Sequence, residues 1–107
     1  MENWKVITFA PKYEVSNYGN IRNIKTKKVL KPRKPRLAHN QLTIFLQCGI
    51  WGKEQHTISQ IVYNHWCLKD GEKPTYYQYN GFKVGGNRIG HKDGDIYNNK
   101  AENLYRY

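Results

Sequence analysis

The 107-residue sequence predicts an α+β fold: a small N-terminal antiparallel β meander, one amphipathic helix, and a short strand-and-turn unit at the C-terminus. Three observations predict it. Short runs of alternating apolar and polar residues recur in the first half, each bounded by Gly, Asn or Pro. A single stretch, HTISQIVYNHWCL, shifts to the helical period. The closing stretch, NRIGHKDGDIYNNKAENLYRY, sets a strand-like segment before an Asp-Gly turn and spaced asparagines.

The elements follow in order. Trp4, Val6 and Ile7 make a first strand. Tyr13 and Val15 alternate with polar neighbours, Asn17-Tyr18-Gly19-Asn20 reads as a turn, and Ile21 and Ile24 follow. Thr26-Lys27 is a second turn, which brings Val29-Leu30 back against Ile21 to Ile24 and completes a meander with a basic outer face. KPRKPR, Lys31 to Arg36, cannot lie in a central strand because each Pro lacks an amide proton. It is either a basic arm along phosphates or in a minor groove, or a connector. Leu42, Ile44 and Leu46 then point one way and Thr43, Phe45 and Gln47 the other, the clearest strand in the chain. A turn around Gly49, Trp51 and Gly52 returns Lys53 to Thr57 as its partner. Ile58, Ile61, Val62, His65 and Trp66 share one helical face, with Thr57 and Gln60 placed as a capping box. His65 reads as a satisfied, semi-buried histidine. Residues 69 to 90, where Gly71, Pro74, Gly81, Gly85 and Gly86 are interspersed with Tyr76, Tyr77, Tyr79 and Phe82, read as a loop with a short ribbon. Those aromatics cover the core or meet DNA.

Composition narrows the function. One domain of this length supports one modest core, and aromatic residues at 14% let few side chains build it. No apolar run is long enough to span a membrane, and MENWKVITF lacks the features of a signal peptide. Cys48 and Cys67 make no disulfide framework, which favours a reducing, intracellular setting. With His56 and His65 they are four possible zinc ligands, but without the spacing of paired knuckles, so two boundary thiols are the expectation. The formal net charge is +10, and no acidic residue stands between Glu14 and Glu54. Arg22, Lys25, Lys27, Lys28, Lys31, Arg33, Lys34 and Arg36 crowd into fifteen positions there. A field of one sign draws a polyanion, here a nucleic acid, and releases its counterions.

The C-terminal stretch carries the chemistry. Arg88 to His91 reads as a strand, Asp93-Gly94-Asp95 as a turn, and Asn98 or Asn99 as the cap of a short helix running through Asn103. Asn99 and Asn103, four apart, would then share a helical face. A neutral imidazole at His91 can accept a proton from water, and a carboxamide oxygen is a hard donor suited to Mg²⁺. Base and cation beside a basic face are what phosphodiester hydrolysis requires.

These residues resemble a family. His91-Lys92-Asp93-Gly94, Asn98-Asn99 and Glu102-Asn103-Leu104 are similar to the HNH core of phage-type homing endonucleases. YEVSNYGNIRNIKTKKVLKP resembles the nuclease-associated modular domain that precedes such cores, and ISQIVYNHW takes the place of the family's apolar helix. The resemblance implies a ββα-metal (His-Me finger) core over residues 38–107 after a basic DNA-binding β subregion at 1–37, within one domain. It implies an endonuclease acting on double-stranded DNA, with one Mg²⁺ or Mn²⁺ per active site. His91 would be the general base, Asn99 the residue that orients the motif, and Asn103 the metal ligand on the helix. Each site would nick one strand, leaving 5′-phosphate and 3′-hydroxyl ends, in a monomer or homodimer. A phage-encoded protein in the cytoplasm of a bacterial host is the setting implied.

Three departures from the family pattern stand out. Gly90 occupies the position before the base, where relatives carry Asp, Asn or another ligand; Asp93 or Asp95 could substitute only if the turn folds back. Ser59 stands where relatives often have His, with His56 or His65 as replacements. The stretch between helix and motif is long, and the sequence stops at Tyr107 without the C-terminal DNA-reading module of many relatives. Two alternatives to cleavage follow: a DNA-binding protein that keeps the scaffold without efficient hydrolysis, and a phage regulator that uses the basic surface on an acidic partner.

Overall fold

The computed structural model describes residues 1–33, 42–47, 52–72 and 89–106. Strands β1 (Trp4–Val6), β2 (Tyr13–Ser16) and β3 (Ile21–Asn23) form an antiparallel sheet in that order. Its register pairs Lys5 with Val15 and Val15 with Ile21. The alternation of apolar residues sets which face is covered: Val15 and Ile21 are buried, while Val6 stands exposed on the other side. The second turn forms as expected, with Lys27 at φ 60. Asn23 Oδ1 accepts the Lys25 and Thr26 amides, which holds that turn closed. Val29 bridges to Arg22, and the Leu30 amide donates to Ile21 O at 2.8 Å.

Strands β4 (Thr43–Gln47) and β5 (Lys53–Thr57) pair antiparallel with Ile44 opposite His56. Leu42, Ile44 and Leu46 are buried and Phe45 is exposed, the alternation read from the sequence. The basic KPRKPR stretch is in part a bridge: Arg33 and Thr43 exchange backbone hydrogen bonds of 2.7 and 3.2 Å. Lys34, Pro35 and Arg36 lie outside the described residues, as do Gly49, Trp51 and the 73–88 stretch with its four aromatics and Arg88.

Helix α1 (Ile58–Trp66) starts directly from β5. Thr57 is its N-cap, but its side chain makes no capping bond, so the expected capping box is absent. Thr57 is held by ladder pairing with Thr43, and the first helical amide, Ile58 N–H, is taken by Leu42 O at 3.0 Å. The strand replaces the side-chain cap. Ile58, Ser59, Gln60, Ile61, Val62 and Tyr63 are all buried, so the first half of α1 is enclosed on every side. Trp66 Nε1 donates to Val15 O at 3.2 Å and ties the helix end to the first sheet. Among the described residues no helix is long and apolar enough to cross a membrane.

The chain closes on a hairpin of β6 (Ile89–His91) and β7 (Leu104–Arg106), with His91 opposite Leu104. The helix expected from Asn98 or Asn99 through Asn103 is not there. A single 3₁₀ turn, Ala101–Asn103, precedes β7, with Lys100 extended at its N-cap. A three-residue turn cannot stack Asn99 over Asn103, and Leu104, buried at 5% exposure, pulls the backbone straight into pairing with β6. Among the described residues one hydrophobic cluster joins all parts: Ile7, just past β1, and Val15 and Ile21 of the first sheet meet Leu46, Ile61, Val62, Ile89 and Leu104.

Candidate functional site

The β6–β7 hairpin places His91 at the end of one strand and Asn103 in the turn just before the other. The Lys92 amide donates to Asn103 O at 2.7 Å, so the two residues are neighbours across the ladder. The intervening loop is built from its own polar side chains. Gly94 takes φ 74, and its amide donates to His91 O at 2.9 Å. Asp93 Oδ1 accepts the Asp95 amide at 2.8 Å and Asp95 Oδ1 the Tyr97 amide at 2.9 Å, two successive Asx turns. The Asn98 amide group, with the Asp95 amide and the Asn103 amide group, holds the Asp93 carboxyl down at about 2, so it is ionised at any ordinary pH.

His91 is half-buried, and its Nε2 lies 2.8 Å from Asn99 Oδ1. Asn99 is 6% exposed, and its Nδ2 donates to Ile96 O at 3.3 Å. That bond points Oδ1 at the ring, so Nε2 carries the proton and donates. The lone pair of the neutral imidazole is then on Nδ1, the atom left to take a proton. The structure brings His91 and Asn99 together by contact, although no helix spans the two asparagines.

Asn103 has a different situation from the one its expected role requires. Its Oδ1 accepts the Asp93 amide at 3.2 Å, and its Nδ2 donates to Asp93 Oδ1 and to Asn98 O, each at 2.9 Å. The residue is 8% exposed. Both ends of the carboxamide staple the loop shut. Gly90 supplies no donor, and Tyr105, directly opposite in the ladder, lays its ring over it: an ideal Cβ there would stand 2.5 Å from Tyr105 Cζ. The described residues contain no group of three or more His, Cys, Asp or Glu that could hold a metal ion. The turn does fold Asp93 back onto Asn103, but onto its nitrogen. These residues alone therefore do not fit a protein-held divalent cation. Among the described residues the zinc candidates form no such group: Cys67 is half-buried with Sγ donating to Ala101 O at 3.4 Å, and Cys48 lies outside the described residues. Burial pushes the Cys67 thiol up.

The two histidines near Ser59 are otherwise engaged. His65 Nδ1 donates to Ile61 O at 2.7 Å and Nε2 accepts the Thr8 amide at 3.1 Å, as a satisfied histidine should. Burial holds it below the usual imidazole value. His56 stacks on Phe9, with ring centroids 4.3 Å apart, and lies 3.2 Å from Glu54 Oε2.

The basic residues divide into two groups. Lys25, Lys28 and Lys31 are exposed. Arg22 is turned inward: its Nε donates to Glu14 Oε1, and its guanidinium sits 3.8 Å from the Trp4 ring. Lys27 lies 3.5 Å from the same carboxylate, and Arg33 covers the Phe45 ring at 5.0 Å. Lys34 and Arg36 fall outside the described residues. Two cations beside the imidazole loop were missed by reading charge density alone. Lys92 follows His91, and Lys100 follows Asn99 with its Nζ 5.5 Å from the Tyr18 ring. Their signal was adjacency to the motif, not membership of a charge run.

Comparisons with known proteins agree with this architecture. A family model for the NUMOD4 motif matches residues 2–44. No match was found among curated proteins. A solved structure, described as DNA binding and cleavage by the HNH homing endonuclease I-HmuI, aligns with a TM-score of 0.72 and 28% identity, over 98% of this chain and 52% of that one. The chain thus spans about half the length of that solved relative. The first part of the chain thus carries a NUMOD4 motif, and nearly its whole length is similar in fold to the HNH homing endonuclease I-HmuI.

Proposed function

We propose that the chain is the DNA-gripping and base-supplying part of an HNH-type DNA endonuclease, which hydrolyses phosphodiester bonds and nicks one strand per active site. The observation that carries this reading is the His91–Asn99 pair at 2.8 Å. A carboxamide oxygen that receives Nε2–H leaves Nδ1 free to take the proton from water as its oxygen attacks phosphorus. The bond from phosphorus to the 3′ oxygen breaks and that oxygen takes a proton from solvent, giving 5′-phosphate and 3′-hydroxyl ends. Lys92 and Lys100 are placed to lie against the negative charge of the strand, and the exposed Lys25, Lys28 and Lys31 to hold more distant phosphates. The β6–β7 hairpin is the ββ part of a ββα-metal core in this reading. We propose Mg²⁺ or Mn²⁺ as cofactor, one ion per site, supplying charge neutralisation at the scissile phosphate.

The test is nicking of supercoiled plasmid with Mg²⁺ or Mn²⁺, wild type beside His91→Ala. Relaxed circles from wild type and none from the variant support hydrolysis by this base. One specific observation favours a second reading, DNA binding without efficient cleavage. Gly90 offers no ligand and Asn103 is committed to the loop. Retardation of DNA by both proteins, with neither nicking in any metal, selects that reading.

A further inference from the structure

The turn between β2 and β3 meets the loop that carries Asn99. Ala101 N donates to Asn17 O at 2.8 Å. Gly19, at φ 89, lies so close that an ideal Cβ would stand 2.7 Å from Asn99 O and 2.9 Å from Asn99 C and Cβ. Those are mostly backbone atoms, which cannot swing aside as a side-chain tip can. Asn99 is the residue whose Oδ1 receives the His91 ring proton.

The turn is rigid enough to act as a mould. Ser16 is fully buried, and its Oγ accepts the amides of Tyr18 and Asn20 at 3.2 and 3.1 Å. Gly19 N donates to Ser16 O at 3.0 Å. Asn17 Oδ1 accepts the Asn3 amide at 2.7 Å, and Asn20 Nδ2 donates to Glu2 Oε2 at 2.6 Å. The turn is therefore strapped on both flanks to the N-terminal segment before it touches the loop.

We propose that the Asn17–Asn20 turn of the N-terminal sheet is a positioning element for the imidazole, with Gly19 as its contact point. It acts through Asn99. The glycine surface fixes the Asn99 backbone, Asn99 fixes its Oδ1, and Oδ1 fixes the ring with Nδ1 outward. This gives the NUMOD4 region a part in the chemistry as well as in DNA binding, and its consequence for cleavage rests on the endonuclease reading above. Displacing Asn99 by about 1 Å would break the 2.8 Å bond and lower nicking roughly tenfold or more.

The experiment compares Gly19→Ala with Gly71→Ala. Gly71 also has positive φ, at 80, but nothing lies within 4 Å of its Cβ position, so it shares the backbone strain without the Asn99 contact. The primary readout is ¹⁵N-edited NMR of the His91 ring. A hydrogen-bonded Nε2–H proton, slow enough in exchange to be seen at neutral pH, is expected in wild type and Gly71→Ala and lost in Gly19→Ala. Plasmid nicking should fall in Gly19→Ala only, with DNA retardation held within about twofold. Should Gly19→Ala fail to fold, Ala101→Pro removes the amide that reaches Asn17 O. Lys100 before it, at φ −63 and ψ 139, already has the conformation that precedes a proline. A Gly19→Ala or Ala101→Pro protein that keeps the Nε2–H signal of wild type overturns the proposal. Because the NMR comparison decides it without cleavage, a wild type inert toward DNA sinks the endonuclease reading separately.

Discussion

Asn103→Ala separates a loop staple from a metal ligand. The carboxamide makes two bonds to backbone groups, the Asp93 amide and Asn98 O, and a third to the Asp93 carboxylate. The two backbone bonds contribute about 1 kcal/mol each, and a residue at 8% exposure leaves their partners poorly placed to find water. Solvent competes for the exposed carboxylate, so that bond is left out of the sum. The expected loss is about 2 kcal/mol, or about 10 °C in Tm for a domain near 100 residues. The assay is urea unfolding followed by tryptophan fluorescence in EDTA, where no divalent ion can contribute. Asn103→Asp is the companion. It would be the better metal ligand, yet it turns a carboxylate oxygen toward Asn98 O and Asp93. It should be at least as destabilised at neutral pH, with partial recovery under acid. A loss below about 0.5 kcal/mol in Asn103→Ala, or a Mg²⁺-dependent gain in Asn103→Asp without DNA, would refute the staple.

Other perturbations follow from the same geometry. Arg22→Ala should lower stability by about 1 kcal/mol, because the Glu14 hydrogen bond and the Trp4 stacking both go, and leave the salt dependence of DNA binding unchanged. Lys25, Lys28 and Lys31, changed together to Gln, should flatten the slope of log K against log salt by up to about 2.7, or about 0.9 for each phosphate no longer neutralised. An unchanged slope in titrations by fluorescence anisotropy would move the footprint elsewhere. His65 is held below the usual imidazole value of 6.5 in the folded chain, so the unfolded chain takes up the proton first. Stability should be full above about 6.5 and decline as pH falls below it, and His65→Gln should remove that part of the decline in pH-dependent urea titrations.

Much of the fold was legible because periodicity reports burial. The alternation from Leu42 to Gln47 and the apolar face of α1 both follow from which side chains leave water. The capping box failed because the cap was judged locally, whereas Leu42 O, sixteen residues earlier and just ahead of β4, takes the Ile58 amide. The terminal helix failed for a related reason. Asn spacing suggested a helical face, but the pairing of Leu104 with His91 is a tertiary preference that local propensity does not contain. At the site, the resemblance gave Asn99 only the task of orienting the motif; its contact with the His91 ring comes from a loop of Asx turns that spacing does not encode. Arg22 shows the limit of counting charge: its partner Glu14 was visible in the sequence, but the register that sets them opposite each other was not. Contact between Gly19 and Asn99, eighty residues apart, leaves no local trace at all.

The family motif ends at residue 44, two residues into β4, which runs Thr43–Gln47. Inheritance and folding thus draw different borders. A segment cut there for transfer would carry half a strand and a greasy underside of Ile7, Val15 and Ile21 with nothing to cover it. Whatever host receives such a cassette must supply the missing half, which restricts where the exchange can succeed to proteins already shaped to complete it.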